Sequence, residues 1–92
     1  MEIGNNGEIK EKVLNIVKNY VDEMFADKEI EMNESLADLG MDSFNVIYML
    51  LDIEDAFGVQ IPDNMLTPEL FESAETIHNA VLKLLVNESS NL

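Results

Sequence analysis

The stretch that decides the fold is residues 36–62, LADLGMDSFNVIYMLLDIEDAFGVQIP. Its middle part carries apolar residues at steps of three and four, which predicts an amphipathic helix that begins at about Ser43. Asp42 is a good N-cap for this helix, because its carboxylate accepts backbone N–H bonds and suits the positive helix end. Gly58 is a natural residue just past the helix end, and Pro62 follows. We expect the core-facing stripe of this helix to consist of Phe44, Ile47, Leu51 and Phe57, with Leu50 beside it.

The chain before this stretch predicts one helix and one long loop. Apolar residues at steps of three and four predict a first helix from about residue 8 to residue 25. Residues 26–41 lose the pattern, and we expect Leu36 and Leu39 to attach this loop to the core and Gly40 to form a turn. Loops of this length inside a small domain are often functional.

The chain after the stretch predicts a short helical piece and a last helix. Thr67-Pro68 is typical of a helix start, and we expect the short piece to extend to about Phe71. Ser73 is expected to cap the last helix, whose inner face carries Ile77, Val81, Leu84 and Leu85. The fold class predicted is therefore all-α, a small three- to four-helix up-down bundle with a long first loop and a short third helix.

Length and charge limit the possible functions. The 92 residues fit a single domain, which we place at residues 8–86 between flexible tails at residues 1–7 and 87–92. There are 19 acids against 5 bases, and the 12 acids between Glu29 and Leu82 have no Lys or Arg among them. This charge excludes nucleic acid and membrane surfaces as partners, because both are anionic. It favours partner proteins with basic docking patches.

The composition also excludes several kinds of site. The chain has no Cys and a single His, His78, so it lacks the ligands of the usual zinc sites, and no metal site is predicted. A weak divalent-ion site among the loop acids stays open. The calcium-loop pattern of EF-hands is absent from the acidic loop. No apolar run is long enough to span a bilayer, and the N-terminal residues do not form a signal peptide, so we expect a cytoplasmic protein.

The segment Asp42-Ser43-Phe44 is the candidate for chemistry. It places a hydroxyl at a helix N-terminus, where free N–H groups and the helix dipole favour a phosphate. On capping statistics alone, an Asp-Ser pair at such a position is most often only a cap.

The run from Leu36 to Pro62, with its Asp-Ser-Phe step and its Ile61-Pro62 step, resembles the acyl carrier protein family over about residues 8–86. In that family the Ser of the D-S-[LF] motif carries a 4′-phosphopantetheine arm. The resemblance implies that Ser43 is the attachment residue and that a phosphopantetheinyl transferase delivers the arm from coenzyme A with its own Mg²⁺. The thiol of the arm then holds an acyl or aminoacyl group as a thioester, for fatty-acid, polyketide or nonribosomal peptide biosynthesis.

The resemblance also implies roles for the neighbouring residues. The protein would be a monomeric, non-catalytic carrier on which acyl- or aminoacyl-activating and condensing enzymes act. Asp42 would cap the helix and help to place the transferase, and Phe44 would fix the helix start in the core. Partner contacts would involve Phe44, Ile47, Tyr48, Glu54 and Asp55, with core packing an equal alternative for Ile47. Phe44, Asn45 and Tyr48 depart from the usual fatty-acid carriers. The segment from Asp63 to Ser73 resembles that of stand-alone carriers of secondary-metabolite or aminoacyl pathways.

Two other functions are compatible with parts of the sequence. The first is an acidic helical adaptor with no prosthetic group, in which Asp42-Ser43 is only a cap. The second is a hydrolase built on Ser43 and His78, which the sequence disfavours because the G-x-S-x-G pattern is absent. The hydroxyl of Ser43 separates a carrier from an adaptor, since only the carrier needs it.

Overall fold

The computed structural model describes residues 6–25, 27 and 29–90. Within these ranges the chain forms three α-helices: α1 (Asn6–Lys18), α2 (Ser43–Phe57) and α3 (Ala74–Ser90). Short 3₁₀ helices lie in the connections at Glu23–Phe25, Asp63–Met65 and Pro68–Phe71. None of the described residues forms a strand. The predicted all-α fold is confirmed, together with the long first loop and the short helical piece before the last helix.

The core lies between the three helices, with α1 packed against both α2 and α3. The first connection also contributes to the core, since Leu36 and Leu39 are almost completely buried, as the sequence predicted. The buried cluster consists of Ile9, Val13, Val17, Ile30, Leu36, Leu39, Met41, Met49, Ile53, Leu70, Ala74, Ile77, Ala80 and Val81.

Helix α1 ends earlier than predicted, at Lys18 instead of residue 25. Its last turn tightens, because the amides of Asn19 and Tyr20 donate to carbonyls three residues back, at 3.1 and 3.0 Å. The amide of Asp22 then leaves the helix altogether and donates to the Leu39 carbonyl at 2.8 Å. The apolar spacing continues past Lys18, but the Asp22 amide bonds to Leu39 in the loop and not to a carbonyl of α1.

Helices α1 and α3 extend into the segments that were predicted to be flexible tails. Helix α1 begins at Asn6 and helix α3 continues to Ser90. No Gly or Pro follows Pro68, so the residues that most often end a helix are absent from this part of the chain. Residues 1–5 and 91–92 of the predicted tails lie outside the described residues.

Helix α2 presents a different face to the core from the one predicted. Phe44, Ile47 and Leu51 are exposed, at 73%, 55% and 55% of their full accessible surface, so the predicted inward stripe is wrong at these three positions, and so is the fixing of Phe44 in the core. Phe57 and Leu50 do pack against the core, as predicted. The buried residues are Met49 and Ile53, and partly buried residues flank them at Val46, Leu50 and Phe57. The exposed residues and the buried residues are each spaced three or four positions apart, so helix α2 is apolar on two faces.

The long first connection is held by backbone hydrogen bonds to the start of α3. The Leu36 amide donates to the Glu72 carbonyl at 3.0 Å, and the Glu75 amide donates to the Met32 carbonyl at 2.9 Å. The start of α3 is itself capped as predicted, since Ser73 and Thr76 exchange two amide-to-hydroxyl hydrogen bonds at 3.2 and 3.3 Å. The second half of the connection is therefore attached to two segments, to the start of α3 through Met32 and Leu36 and to Asp22 through Leu39.

The predicted turn at Gly40 is confirmed by a positive φ of 80°. A Cβ on Gly40 would lie 2.6 Å from the Cβ of Asp22, which is too close for any real pair of carbon atoms. Gly58 ends α2 with a φ of 65°. A Cβ added to Gly58 would have no atom within 4 Å apart from those of its chain neighbours. Gly40 is thus required for both its conformation and its contact, and Gly58 only for its conformation.

Truncating a side chain on the buried face of α2 is expected to cost far more stability than truncating one on its exposed face. Ile53→Ala removes a fully buried side chain and is expected to lower the free energy of unfolding by about 2–5 kcal/mol. Ile47→Ala removes an exposed side chain and is expected to change it by no more than about 0.5 kcal/mol. Urea unfolding followed by circular dichroism measures both variants, and equal losses would contradict the observed orientation of α2.

The two glycines predict a graded effect on stability. Gly58→Ala is expected to lose roughly 1–2 kcal/mol, the cost of a left-handed backbone for a residue with a Cβ. Gly40→Ala is expected to lose more, because the new Cβ also displaces Asp22. The same urea titration compares them, and a Gly40→Ala variant as stable as Gly58→Ala would show that the contact with Asp22 does not matter.

Candidate functional site

The candidate site is the start of α2, which follows a tight turn formed by Leu36 to Met41. Within this turn the amides of Leu39 and Met41 both donate to the Leu36 carbonyl, at 3.1 and 3.2 Å. Since Leu36 is buried and bonded to Glu72, the turn is anchored in the core. The chain leaves it at Met41, which is also buried, and α2 begins two residues later.

Asp42 is the N-cap of α2, as predicted. Its backbone is extended, with φ −100° and ψ 178°, and its carboxylate oxygen Oδ1 accepts from the Asn45 amide at 2.8 Å. Its carbonyl accepts the Val46 amide at 3.0 Å. Ser43 is consequently the first residue of the helix, between the exposed residues Asp42 and Phe44. A hydroxyl-bearing residue thus opens the helix, at the end that favours an anion.

A brace from the end of α1 holds this part of α2. The side-chain amide of Asn45 donates to the Tyr20 carbonyl at 3.3 Å, and the Tyr20 hydroxyl donates to the carboxylate of Asp52. The hydrogen bond to Asp52, together with desolvation and the charge of that carboxylate, raises the pKa of Tyr20 above its ordinary value of 10.0. The phenol therefore keeps its proton across the neutral range. The sequence gives no signal for this brace, because its partners lie 25 and 32 positions apart in the chain.

An open apolar groove of about 520 Å³ lies along α2 beside Asp42. Asp42 is the only charged residue among those that line it. The lining residues are Leu36, Ala37, Met41, Asp42, Val46, Ile47, Leu50, Leu66, Pro68 and Phe71. Leu66, which is 43% exposed, was not singled out from the sequence, because it lies in an irregular segment without periodicity. A larger hollow between Lys10, Met32 and Glu75 does not reach the start of α2.

The residues predicted to contact partners fall into two groups. Phe44, Ile47 and Tyr48 lie on the exposed face of α2, so core packing of Ile47 is not observed. Glu54 is partly buried, and its carboxylate accepts from the Ile61 amide at 2.8 Å, which fixes the segment after α2. Asp55 is exposed. Glu54 therefore stabilises the structure, whereas Asp55 lies at the surface, where a partner could contact it.

Among the residues that the structure describes, no metal-binding cluster lies at this site. No group of three or more His, Asp or Glu residues in the described ranges has the arrangement of a metal site. His78 is partly buried on α3, its Nε2 atom has no hydrogen-bond partner, and it does not line the groove beside Asp42. None of the helices described is both long and apolar enough to cross a bilayer.

Comparison with known proteins agrees with this geometry. The family model for the phosphopantetheine attachment site matches residues 11–81. Aminoacyl carrier protein 1 of Bradyrhizobium diazoefficiens is 26% identical over 80 residues, which cover 87% of this chain and 89% of the relative. Aminoacyl carrier protein 2 of the same organism is 23% identical over 77 residues, covering 84% and 86%.

Solved structures show the same similarity. A chain in the crystal structure of an engineered Bradyrhizobium japonicum glycine:[carrier protein] ligase, complexed with a carrier protein from Agrobacterium tumefaciens and AMP, superposes with a TM-score of 0.71. It is 26% identical, and the match covers 79% of this chain and 97% of that one. In the complex of the Bradyrhizobium japonicum ligase with glycylated carrier protein, the TM-score is 0.65 at 25% identity, covering 78% and 97%.

The family match includes the Gly40 turn, the Asp42 cap and the whole of α2, and it extends into α3. The chain therefore belongs to the phosphopantetheine attachment-site family, and it is an acyl carrier protein whose cofactor is 4′-phosphopantetheine.

Proposed function

We propose that Ser43 carries the arm. The observation that supports this most directly is its position as the first residue of α2, within the family match and between two exposed neighbours. The other serines of the matched span have different roles. Ser73 is buried and caps α3, and the hydroxyl of Ser35 accepts the Asp38 amide at 3.4 Å inside the long loop.

The residues around Ser43 suit this attachment. When bound, the arm supplies a terminal thiol that holds the cargo as a thioester. In the transfer from coenzyme A, the Ser43 hydroxyl loses its proton and forms a phosphoester bond, and the adenosine bisphosphate leaves. The phosphate then lies at a helix N-terminus, which favours an anion. Asp42 holds the first turn of α2 in place, because its carboxylate oxygen Oδ1 accepts the Asn45 amide.

We further propose that the cargo is an aminoacyl group and that the protein itself is not catalytic. The two curated relatives are aminoacyl carriers, and the solved neighbours are complexes with a ligase that loads glycine. The partners proposed are a phosphopantetheinyl transferase and aminoacyl-activating enzymes that meet a monomeric carrier in the cytoplasm. The formal charge of −14 supports rapid encounter with partners that carry basic patches.

Attachment at Ser43 is tested by intact mass. The wild-type chain, incubated with coenzyme A, Mg²⁺ and a permissive phosphopantetheinyl transferase, is expected to gain the mass of one arm. Ser43→Ala is expected to gain none, and Ser35→Ala, which keeps Ser43, is expected to gain the arm like the wild type. Circular dichroism confirms that each variant is folded. A folded wild type that gains no mass, or a Ser43→Ala variant that still gains it, would refute the assignment.

The role of Asp42 towards the transferase is separable from its role as a cap. Asp42→Asn keeps a good N-cap, whereas Asp42→Ala is expected to lose about 1 kcal/mol of unfolding free energy. If the charge of Asp42 helps to place the transferase, then Asp42→Asn takes up the arm several-fold more slowly while its stability stays close to wild type. Urea unfolding and the initial rate of mass gain measure the two effects. An unchanged rate in Asp42→Asn would leave Asp42 with a capping role alone.

A further inference from the structure

The apolar residues of α2 do not by themselves fix its rotation about the helix axis. Phe44, Ile47 and Leu51 form an exposed apolar face, and Met49 and Ile53 lie on the buried one. Burial of either face stabilises the fold, because the hydrophobic effect depends on area and has no direction. A hydrogen bond does have a preferred direction, so polar contacts at the border between the two faces can decide which face points outward.

The Tyr20 brace contacts α2 at two points on this border. The Tyr20 carbonyl accepts the side-chain amide of Asn45 at 3.3 Å, and the Tyr20 hydroxyl donates to the Asp52 carboxylate. Asn45 and Asp52 are about two helical turns apart, so they lie on one side of α2. Asn45 is half-buried and Asp52 is exposed, as expected between a buried and an exposed face. Two contacts roughly 10 Å apart along one strip fix both the rotation of the helix and its position along its axis.

The contact at Asn45 continues to the residue before Ser43. The backbone amide of Asn45 donates to Oδ1 of Asp42 at 2.8 Å, while its side chain donates to the Tyr20 carbonyl. The Tyr20 amide in turn donates to the carbonyl of Val17, which is fully buried in the core, at 3.0 Å. A continuous series of hydrogen bonds therefore connects the buried part of α1 with the N-cap of α2. The start of α2 takes its position from α1 through Tyr20.

We propose that Tyr20 is a positioning residue for arm attachment, because its two contacts hold the start of α2 in the orientation that the transferase binds. Tyr20 acts through Asn45 and Asp52 and takes no part in the chemistry. When one contact is lost, α2 spends part of its time in other orientations, and the apparent affinity for the transferase falls with the competent fraction. The bound complex reacts as before, so the effect lies in KM and not in kcat. The inference rests on the proposed attachment at Ser43.

The test uses the full chain with coenzyme A, Mg²⁺ and a permissive phosphopantetheinyl transferase. The initial rate of mass gain at several carrier concentrations separates KM from kcat. Tyr20→Phe removes only the hydroxyl, and Asp52→Ala removes its acceptor. Asp52→Asn keeps an acceptor oxygen without the charge, so it separates positioning from attraction of the transferase by the carboxylate. Gly58→Ala is the control for stability, because it destabilises the opposite end of α2 from Ser43.

Tyr20→Phe and Asp52→Ala are each expected to raise KM roughly three- to tenfold, the range that corresponds to one hydrogen bond, with kcat within about twofold of wild type. The double variant is expected to show no more than the larger single effect, because both changes remove the same bond. Asp52→Asn and Gly58→Ala are expected to keep KM within about twofold of wild type.

The hydrogen bond itself is measured through the absorbance of tyrosinate. The chain has 2 tyrosines, so Tyr48→Phe leaves Tyr20 as the only one. The hydrogen bond to Asp52 raises the pKa of Tyr20 above 10.0, and adding Asp52→Ala is expected to lower that pKa. An unchanged pKa would show that the bond does not form in solution, and it would overturn the proposal.

Three kinetic results would also overturn the proposal. The first is an unchanged KM in Tyr20→Phe, and the second is an equal rise in Gly58→Ala, which would show an effect of stability alone. The third is a rise in Asp52→Asn as large as in Asp52→Ala, which would assign the effect to the charge. In each case the wild type still gains the arm, so attachment at Ser43 stands. A folded wild type that gains no arm refutes the attachment and this inference together.

Discussion

The close contact between Gly40 and Asp22 is the constraint on which the site depends. Only a residue without a Cβ allows the turn to approach Asp22, and this approach lets the Leu39 carbonyl accept the Asp22 amide. The same hydrogen bond ends the helical course of the first segment and fixes the end of the long loop. Helix α2 then starts three residues after Gly40, at a point set by the backbone of a distant segment. The position of Ser43 thus depends on packing between segments that are distant in sequence.

The sequence correctly predicted features that depend on neighbouring residues. It failed where contacts between distant segments determine the structure. The Asp42 cap, the Gly58 stop and the Ser73 cap were all correct, because each depends on residues within one helical turn. The inward face of α2 was wrong, since the sets around Ile47 and around Ile53 share the same spacing. Only the packing of α1, α3 and the long loop selects one of them. The end of α1 was missed for the same reason, because the bond from Asp22 to Leu39 spans 17 positions.

The acids of this protein divide into those that build the structure and those that produce its field. Asp42, Asp52 and Glu54 each accept a hydrogen bond from a named group, so their charges stabilise caps and braces around α2. The other acids repel one another and give the molecule its long-range potential. The first half of α2 carries none of these charges, because Ser43 to Leu51 include no Asp, Glu, Lys or Arg.

A carrier must meet several enzymes in turn, and this requirement explains why its site is simple. A cleft with an activated nucleophile would suit one reaction, whereas a helix start between exposed neighbours can be approached by several different enzymes. The Asp42 cap and the Tyr20 brace keep that helix start in one place, which limits the entropy lost when a partner binds. A flexible arm on a fixed base then raises the effective concentration of cargo at each active site. Rigidity in α2 and freedom in the arm are therefore complementary parts of one function.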